Sequence, residues 1–290
     1  VGANGRLGSM VCRYLLRNNP NTKVLAAVHY VGDSSSRGYG RLSYEVGAED
    51  GVGTIGAAWS EDRNASFMYT DEMKDYNLQN LRVIDVELLD PVQCMTLTED
   101  VDSVIWCATD FNGNKPRAVS GLNIAFLFRA VAAPTKGRVE IEGLQNILGG
   151  LKNGKQNKRW NMEREGGQSV SPKSNNPISF VLVSTAEDAF DDFTTPLGDF
   201  KALKRDGERI LREDFPSVSH CILQMARYDE NFVDEDLDIQ FDENAATDDG
   251  VEKRRRRINR RDAARIAVEA LTDENLLGKK VEVYTALRGR

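Results

Sequence analysis

Apolar and polar residues follow one another along the chain in blocks of two kinds, short apolar runs and longer stretches with helical spacing. The apolar runs predict buried strands at Lys23–His29, Leu81–Val86, Val101–Ala108, Ile178–Ser184, Ser219–Leu223 and Lys280–Tyr284. The helical spacing predicts helices from Met10 to about Asn18, near 91–98, and over Val139–Leu151, Phe200–Glu213 and Asn259–Leu271. Because strands alternate with helices, we expect an α/β fold built on a doubly wound parallel sheet with helices on both faces.

Polar segments interrupt this alternation and predict long insertions at 32–75, 110–138 and 152–177. Residues 229–250 are strongly acidic and are predicted to form a loop. The apolar segment 122–133 has three open interpretations: buried core, a lid over a pocket, or a docking face. The length of the chain suits one large domain over residues 1–290.

Composition excludes several classes of function. The formal net charge of -7 and the isoelectric point near 5.1 argue against nucleic-acid binding as a general activity. No run of about 18 apolar residues occurs, so no transmembrane span is expected. Four scattered cysteines predict buried thiols in a reducing compartment, and two histidines are too few for a histidine-based metal site, so no metal is expected.

One short motif points to chemistry. Gly2, Gly5 and Gly8 have G-x-x-G-x-x-G spacing directly before the first predicted helix. This spacing is typical of a loop that binds the pyrophosphate of a dinucleotide at a helix N-terminus, although a tight turn without a ligand has the same pattern. A strand should precede such a loop, but only Val1 does. We therefore expect a truncated first strand in a longer chain whose true N-terminus lies outside this sequence, so the sequence does not show whether there is a targeting peptide.

Further segments in fixed order strengthen this interpretation. After the glycine loop come Glu87–Pro91, the strand ending in Cys107 and Ala108, a strand ending in Ser184 and Thr185, and the helix starting Phe200–Lys204. Val139–Leu148 and Ile258–Ala264 complete the set. Together they resemble the short-chain dehydrogenase/reductase (SDR) superfamily, and within it the atypical, NmrA-like NAD(P)-binding branch, which includes plastid proteins of the thylakoid and envelope. The resemblance implies one Rossmann-type domain whose segments at about 225–290 face a substrate or partner.

The resemblance also implies a cofactor site. Its residues would be Gly2, Asn4, Gly5, Arg6, Leu7 and Gly8 around the pyrophosphate, Glu87 and Leu88 near the adenine, and Cys107, Ala108 and Thr109 beneath the nicotinamide ribose. His29 lies where the branch often has an arginine for the 2′-phosphate of NADP, and Ser34–Ser36 with Arg37 are alternative contacts. Arg37 is equally well interpreted as a solvated loop residue. Because no acidic residue ends this strand, the sequence favours NADP(H) over NAD(H).

The catalytic pair departs from the family pattern. Members carry Tyr-x-x-x-Lys on one helix, whereas this chain has Phe200 and Lys204. Lys204 would still bind the nicotinamide ribose, and Ser184 at the strand end would hydrogen-bond a substrate carbonyl. A phenyl ring has no exchangeable proton, so ketone reduction should lose general-acid catalysis worth roughly 10²–10⁴-fold.

Two functions remain open. The first is a catalytically degenerate NAD(P)(H)-binding protein that acts as an accessory, assembly or scaffold subunit of a membrane-associated complex in an organelle. The plastid stroma or thylakoid surface is favoured, and the mitochondrial matrix or cytoplasm is the alternative. The second is an active NADPH-dependent reductase in which Tyr228, or Thr109 with Ser184, takes part in proton transfer. The basic run Lys253–Arg257 either contacts an anionic partner or is neutralised by the acidic segment 229–250.

Overall fold

The structure is a computed structural model of the chain. It describes residues 1–3, 5–18, 21–28, 43–44, 53–54, 80–109, 137–164, 177–190, 200–229, 237–243 and 256–287. The helices are α1 (Arg6–Asn18), α2 (Pro91–Thr98), a π-helix (Val139–Gly143) that continues as α3 (Leu144–Arg164), α4 (Phe200–Glu213) and α5 (Arg260–Glu269). Short 3₁₀ turns span Glu187–Phe190 and Glu274–Leu276.

Eleven strands lie within these described ranges. They are β1 (Val24–Val28), β2 (Ser43–Tyr44), β3 (Gly53–Thr54), β4 (Leu81–Asp85), β5 (Val104–Trp106), β6 (Phe180–Thr185), β7 (His220–Met225), β8 (Arg227–Tyr228), β9 (Leu237–Asp242), β10 (Arg257–Ile258) and β11 (Lys280–Leu287). β1 and β4 pair in parallel, and a larger sheet has the order β5-β6-β7-β11-β10-β8 with β9 antiparallel to β11. β5, β6, β7 and β11 run parallel to their neighbours in that order.

The first two residues connect the pair β1–β4 to the larger sheet. The backbone nitrogen of Val1 donates to the carbonyl of Ile105 at 2.8 Å, and Cys107 donates back to Val1 at 2.9 Å. On the other side, Gly2 donates to the carbonyl of Ala27 in β1 at 3.0 Å. The resulting order, β4-β1-(1–2)-β5-β6-β7-β11, is doubly wound, and it confirms the predicted α/β class.

Both faces of the central strands β5, β6 and β7 are covered, which explains why these strands are almost continuously buried. In β6, Val181 and Val183 pack beneath α1 and α5, while Phe180 and Leu182 pack beneath the helices on the opposite face. Helices α2, α3 and α4 supply that second layer. Because successive side chains alternate, polar residues near the ends of these strands also have defined faces.

Two predictions about local structure were wrong. The predicted insertion at 152–177 begins too early, because α3 continues to Arg164. Glycines that discourage helix elsewhere let α3 lie close to α2 here: a Cβ on Gly154 would come within 3.0 Å of the carbonyl of Thr98. The predicted acidic loop at 229–250 contains β9, which pairs over six residues with β11. The ladder hydrogen bonds of this edge strand hold it despite its polar sequence.

Other predictions hold, some with shifted ends. α4 has the predicted bounds, and Asn259 caps α5 by accepting a hydrogen bond from the backbone of Arg261 at 2.8 Å. The short strands β2 and β3 lie inside the predicted insertion at 32–75, whereas the apolar segment 122–133 falls outside the described residues. Among the helices that the structure describes, none combines the length and apolar character needed to cross a bilayer.

Candidate functional site

The glycine loop packs directly against the turn that follows β5. Gly2 has a φ of +76°, and a Cβ at this residue would lie 2.6 Å from the Cα and the backbone nitrogen of Ala108. A Cβ on Gly8 would collide with the carbonyl oxygen of Gly2. Both positions therefore require glycine, because any side chain would force the loop away from the turn. The two glycines thus let the loop backbone pack closely against the turn and against itself.

The start of α1 suits an anionic group. Gly5 donates to the carbonyl of Gly2 at 3.0 Å, and Ser9 donates to the carbonyl of Gly5 at 3.0 Å, which fixes the turn into the helix. The first turn of any α-helix carries amide groups that intrahelical hydrogen bonds leave to other acceptors. These amides and the positive end of the helix dipole favour a phosphate. The glycine loop therefore fits the pyrophosphate of a dinucleotide.

A buried ion pair lies beside this loop. We call Thr109, Glu140 and Lys204 the Glu140 cluster. The Thr109 hydroxyl donates to Oε1 of Glu140 at 2.6 Å, and Nζ of Lys204 lies 3.8 Å from the same oxygen. The side chain of Glu140 is only 2% exposed and that of Lys204 is 10% exposed, while Thr109 is exposed. Burial lowers the pKa of Lys204, and the charge of Glu140 opposes that shift.

Local backbone geometry brings the cluster together. Glu140 lies on the π-helix Val139–Gly143, a rare conformation that is frequent at functional sites. Gly207 lets α4 approach it closely, since a Cβ there would lie 3.2 Å from the carbonyl of Glu140. Thr109 follows Ala108, which touches Gly2, so the cluster adjoins the glycine loop.

Cys107 lies in the same turn but is not a reactive thiol. Its side chain is half-buried, and burial raises the pKa of the Cys107 thiol to about 11. At neutral pH almost all of this thiol is protonated, and the thiolate is the nucleophilic form. The surroundings of Cys107 therefore disfavour its thiolate at neutral pH.

A second buried cluster lies farther along the sheet. We call Ser184, Arg205, Glu208, Gln224 and Lys280 the Glu208 cluster. Glu208 accepts from the Ser184 hydroxyl at 2.6 Å and from Nε2 of Gln224 at 2.9 Å, and it pairs with Arg205. Nζ of Lys280 lies 3.7 Å from its other carboxylate oxygen.

The Glu208 cluster continues into the C-terminal part of the sheet. Ser184, Gln224 and Glu282 are in register on neighbouring strands, so they share one face. Arg256 pairs with Glu282 at 3.2 Å and with Asp242 at 3.1 Å, and its guanidinium lies 4.0 Å from the ring centre of Tyr284. The predicted neutralisation of the basic run by the acidic segment thus occurs at Arg256.

The structure brings together Gly2, Gly8, Cys107, Ala108, Thr109 and Lys204, all of which the sequence assigned to the cofactor site. Ser184 has a hydrogen-bond partner that its predicted role does not include. Its single hydroxyl proton is directed to Glu208, and the residue is buried, so in this structure it does not donate to a substrate carbonyl.

Other predicted contacts have a local role or lie outside the description. Leu7 and Leu88 pack against the core, and an oxygen of the Glu87 carboxylate accepts from the backbone of Leu89 at 3.0 Å. Gly5 forms the turn into α1. Their contacts with a cofactor stay predictions. Asn4, His29 and Arg37 lie outside the described residues, as do the side chains of Arg6 and Phe200, whose helical backbone is described.

Sequence reasoning missed two acidic residues. Glu140 sits in an ordinary amphipathic stretch, and Glu208 sits in a charged helix in which acidic residues usually face solvent. Neither has a spacing signal that distinguishes it from its neighbours. Their partners lie up to 72 residues away in sequence, at Lys280, so only the fold reveals them.

No protein-family model matches the sequence, and no curated protein matches it. Among solved structures, the oxidoreductase ylbE from Lactococcus lactis is 12% identical, with 99% of this chain and 90% of that one covered and a TM-score of 0.52. A protein from Bacillus halodurans, described as an NAD-dependent epimerase/dehydratase, is 14% identical, with 99% and 93% covered and a TM-score of 0.51. A short-chain dehydrogenase/reductase from Veillonella parvula is 11% identical, with 98% and 91% covered and a TM-score of 0.50.

At these identities the likeness shows the fold alone. The chain therefore has the Rossmann-type fold of atypical SDR proteins, and the predicted resemblance is confirmed at that level.

Proposed function

We propose that this chain binds a nicotinamide dinucleotide at the glycine loop but lacks the standard SDR reduction, and that it acts as an accessory, assembly or scaffold subunit of an organellar membrane complex. The contact between Gly2 and Ala108 carries the proposal of binding. It joins the glycine loop to the turn that contains Thr109, which Glu140 links to Lys204. The solved structures of the same fold, one of them described as NAD-dependent, add support.

The residues that would hold the cofactor follow from this geometry. The loop from Gly2 to Gly8 would hold the pyrophosphate through backbone amides, and Lys204 with Thr109 would hold the ribose next to the nicotinamide. A bound nicotinamide supplies hydride transfer. The absence of an acidic residue at the end of β1 supports NADP(H) over NAD(H), because a carboxylate there would repel a 2′-phosphate.

The loss of standard catalysis rests on Phe200. It occupies the first helical position of α4, four residues before Lys204, where the family pattern has its tyrosine. The Glu208 cluster reinforces this loss, because the hydroxyl of Ser184 is directed to Glu208. The role in a complex, and the plastid location, are supported by the sequence resemblance and by the long insertions.

Three assays test this proposal. The midpoint temperature of thermal unfolding of the full chain should rise when NADPH is added. The rise should be larger than with NADH at the same concentration. A panel of quinones, enones and carbonyls should give no NADPH oxidation above background. A tagged chain should co-purify in fixed stoichiometry with a membrane complex from organelles. Absence of any dinucleotide effect would refute the binding itself, and turnover that Lys204→Ala abolishes would refute the non-catalytic role.

A second candidate function is an active reductase, and one observation favours it. Tyr228 is half-buried with the guanidinium of Arg260 4.6 Å from its ring centre, and burial raises the pKa of its phenol. The observation in favour is position, because Tyr228 packs against the same apolar core as Cys107. The raised pKa by itself makes the phenol a weaker general acid at neutral pH. This candidate predicts NADPH oxidation that falls at least about 100-fold in Tyr228→Phe with unchanged NADPH binding. Equal rates in wild type and variant would eliminate Tyr228 as the donor.

A further inference from the structure

Three cations act on one exposed carboxylate in the region between β6 and α4. Glu187 begins the 3₁₀ turn that follows β6, and its Oε1 lies 2.5 Å from Nζ of Lys201 in the first turn of α4. The hydrogen bond from Lys201 lowers the pKa of Glu187, and the charges of Arg205 and Lys280 lower it further. The carboxylate of Glu187 is therefore held by a positive region of the surface, although its side chain is 68% exposed.

Two of these cations are anchored by other groups of the fold. Lys201 and Arg205 are four residues apart in α4, so their side chains share one face of the helix. Arg205 donates to the carbonyl of Thr185 at 2.7 Å and pairs with the buried Glu208. Nζ of Lys280 lies 3.7 Å from the same carboxylate. Arg205 and Lys280 thus keep their places independently of the exposed carboxylate.

The charges in this region leave a positive excess. Lys201, Arg205 and Lys280 are three cations. Glu187 and Glu208 are two carboxylates, so one positive charge is left over, and two are left over when the side chain of Glu187 turns toward solvent. A phosphate group with one ester bond or none carries about two negative charges at pH 8, which matches the second value.

The contact between Glu187 and Lys201 is one that a ligand can replace. Exposed ion pairs contribute little to stability, because water solvates the separated charges and the side chains regain their freedom. Lys280 is also accessible, with a side chain that is 40% exposed. A dianion that accepts charge-assisted hydrogen bonds from these cations gains more than the single charge of a carboxylate.

We propose that Lys201, Arg205 and Lys280 form a binding site for a phosphate dianion, and that the carboxylate of Glu187 competes with the ligand for this site. The ligand is inorganic phosphate or the phosphate group of a small monoester, which present the same charged oxygens. Binding displaces Glu187 and so releases the 3₁₀ turn from α4. The site uses no contact with the glycine loop, so it does not depend on dinucleotide binding.

Calorimetric titration of the full chain with inorganic phosphate at pH 8 and low ionic strength tests the site, because salt screens exposed charges. Glu187→Gln removes the competing charge and should tighten phosphate binding about 5-fold. Asp188→Asn is the matched control, since it removes the same charge from the same turn and should change the affinity less than about 2-fold.

The lysines provide the opposite test. Lys201→Gln and Lys280→Gln should each weaken phosphate binding about 5-fold. Lys279→Gln is the control, because Lys279 pairs with Glu243 at 2.5 Å, and it should bind phosphate like wild type. The substituted side chains are all at least partly exposed, so the variants should fold, which thermal unfolding checks.

Glycerol 3-phosphate in the same titration distinguishes the two sources of phosphate. Equal affinity would assign the site to the phosphate group alone, and tighter binding of the ester would assign it to monoesters. Phosphate affinity that Lys201→Gln and Lys280→Gln leave unchanged, or that Glu187→Gln does not raise, would overturn the inference. Phosphate bound at the glycine loop would give that unchanged affinity. A chain that fails to bind NADPH would refute the proposed function and leave this result as it is.

Discussion

Two buried charge clusters lie near the carboxyl ends of the parallel strands, and they differ in what they leave for a ligand. In the Glu140 cluster, an exposed threonine and an ion pair separated by 3.8 Å adjoin the glycine loop. In the Glu208 cluster, the carboxylate is enclosed by Ser184 at 2.6 Å, Gln224 at 2.9 Å and the guanidinium of Arg205. Buried charge alone therefore does not mark a binding site. The adjoining glycine loop and the exposed polar group distinguish the Glu140 cluster.

The cost of leaving a buried charge without a partner bears on the same comparison. A buried carboxylate with close partners holds secondary structure together, and removing it leaves its partners with uncompensated charge. We therefore expect the Glu208 cluster to contribute to the stability of the fold.

The largest effect is expected from Glu208→Ala. This variant leaves Arg205 and Lys280 without their carboxylate and should lower the free energy of unfolding by about 4 kcal/mol, measured by urea denaturation. The control Glu213→Ala, on the same helix and exposed beside Arg209, should change stability by less than about 0.5 kcal/mol. If the two variants had equal stability, the Glu208 cluster would not have the structural role assigned here.

The second effect concerns the glycine loop. Gly2→Ala places a Cβ against the backbone of Ala108 at a positive φ, and we expect a loss of about 3 kcal/mol together with loss of NADPH binding. Gly278 has a similar φ of +73°, but a Cβ there would meet no atom within 4 Å, so Gly278→Ala should lose only about 1 kcal/mol and bind normally. The difference between the two variants isolates the contact with Ala108. Normal NADPH binding by Gly2→Ala would remove the central support for the site.

The smallest effect is chemical and depends on pH. Because the pKa of Cys107 is raised to about 11, alkylation of this thiol should be slow at pH 7 and should accelerate about 10-fold per pH unit toward pH 11. NADPH should slow it further at pH 9, because the ligand covers the turn that contains Cys107. The pKa of the Cys221 thiol, which lies beneath α5, is raised to about 12. Its alkylation rate should be the same with and without NADPH. Equal protection of both thiols, read by mass spectrometry, would indicate global stabilisation instead of local cover.

The sequence predicted local elements well and long-range contacts poorly. The bounds of α4 followed from its amphipathic spacing, and the capping role of Asn259 followed from its side chain. The full length of α3 and the strand β9 did not follow, because packing on α2 and pairing with β11 overrode weak local propensity.

The candidate site divides in the same way. The glycine loop could be predicted from the sequence because a phosphate loop needs several small residues close together in the chain. Glu140 meets Lys204 across 64 positions only after the sheet and the π-helix are formed, and no periodic pattern records that contact. The partner of Ser184 was hidden for the same reason, since Glu208 faces inward from a helix that is otherwise charged on its surface.

Titration of the full chain with NADPH, followed by the fluorescence of the nucleotide, tests the central claim most directly. We predict saturable binding at one site per chain, tighter than about 1 mM, that adenosine 2′,5′-bisphosphate displaces and that Gly2→Ala abolishes while Gly278→Ala does not. A linear, non-saturating signal with the folded wild-type chain would contradict the account, because the glycine loop would then be a structural turn and nothing more.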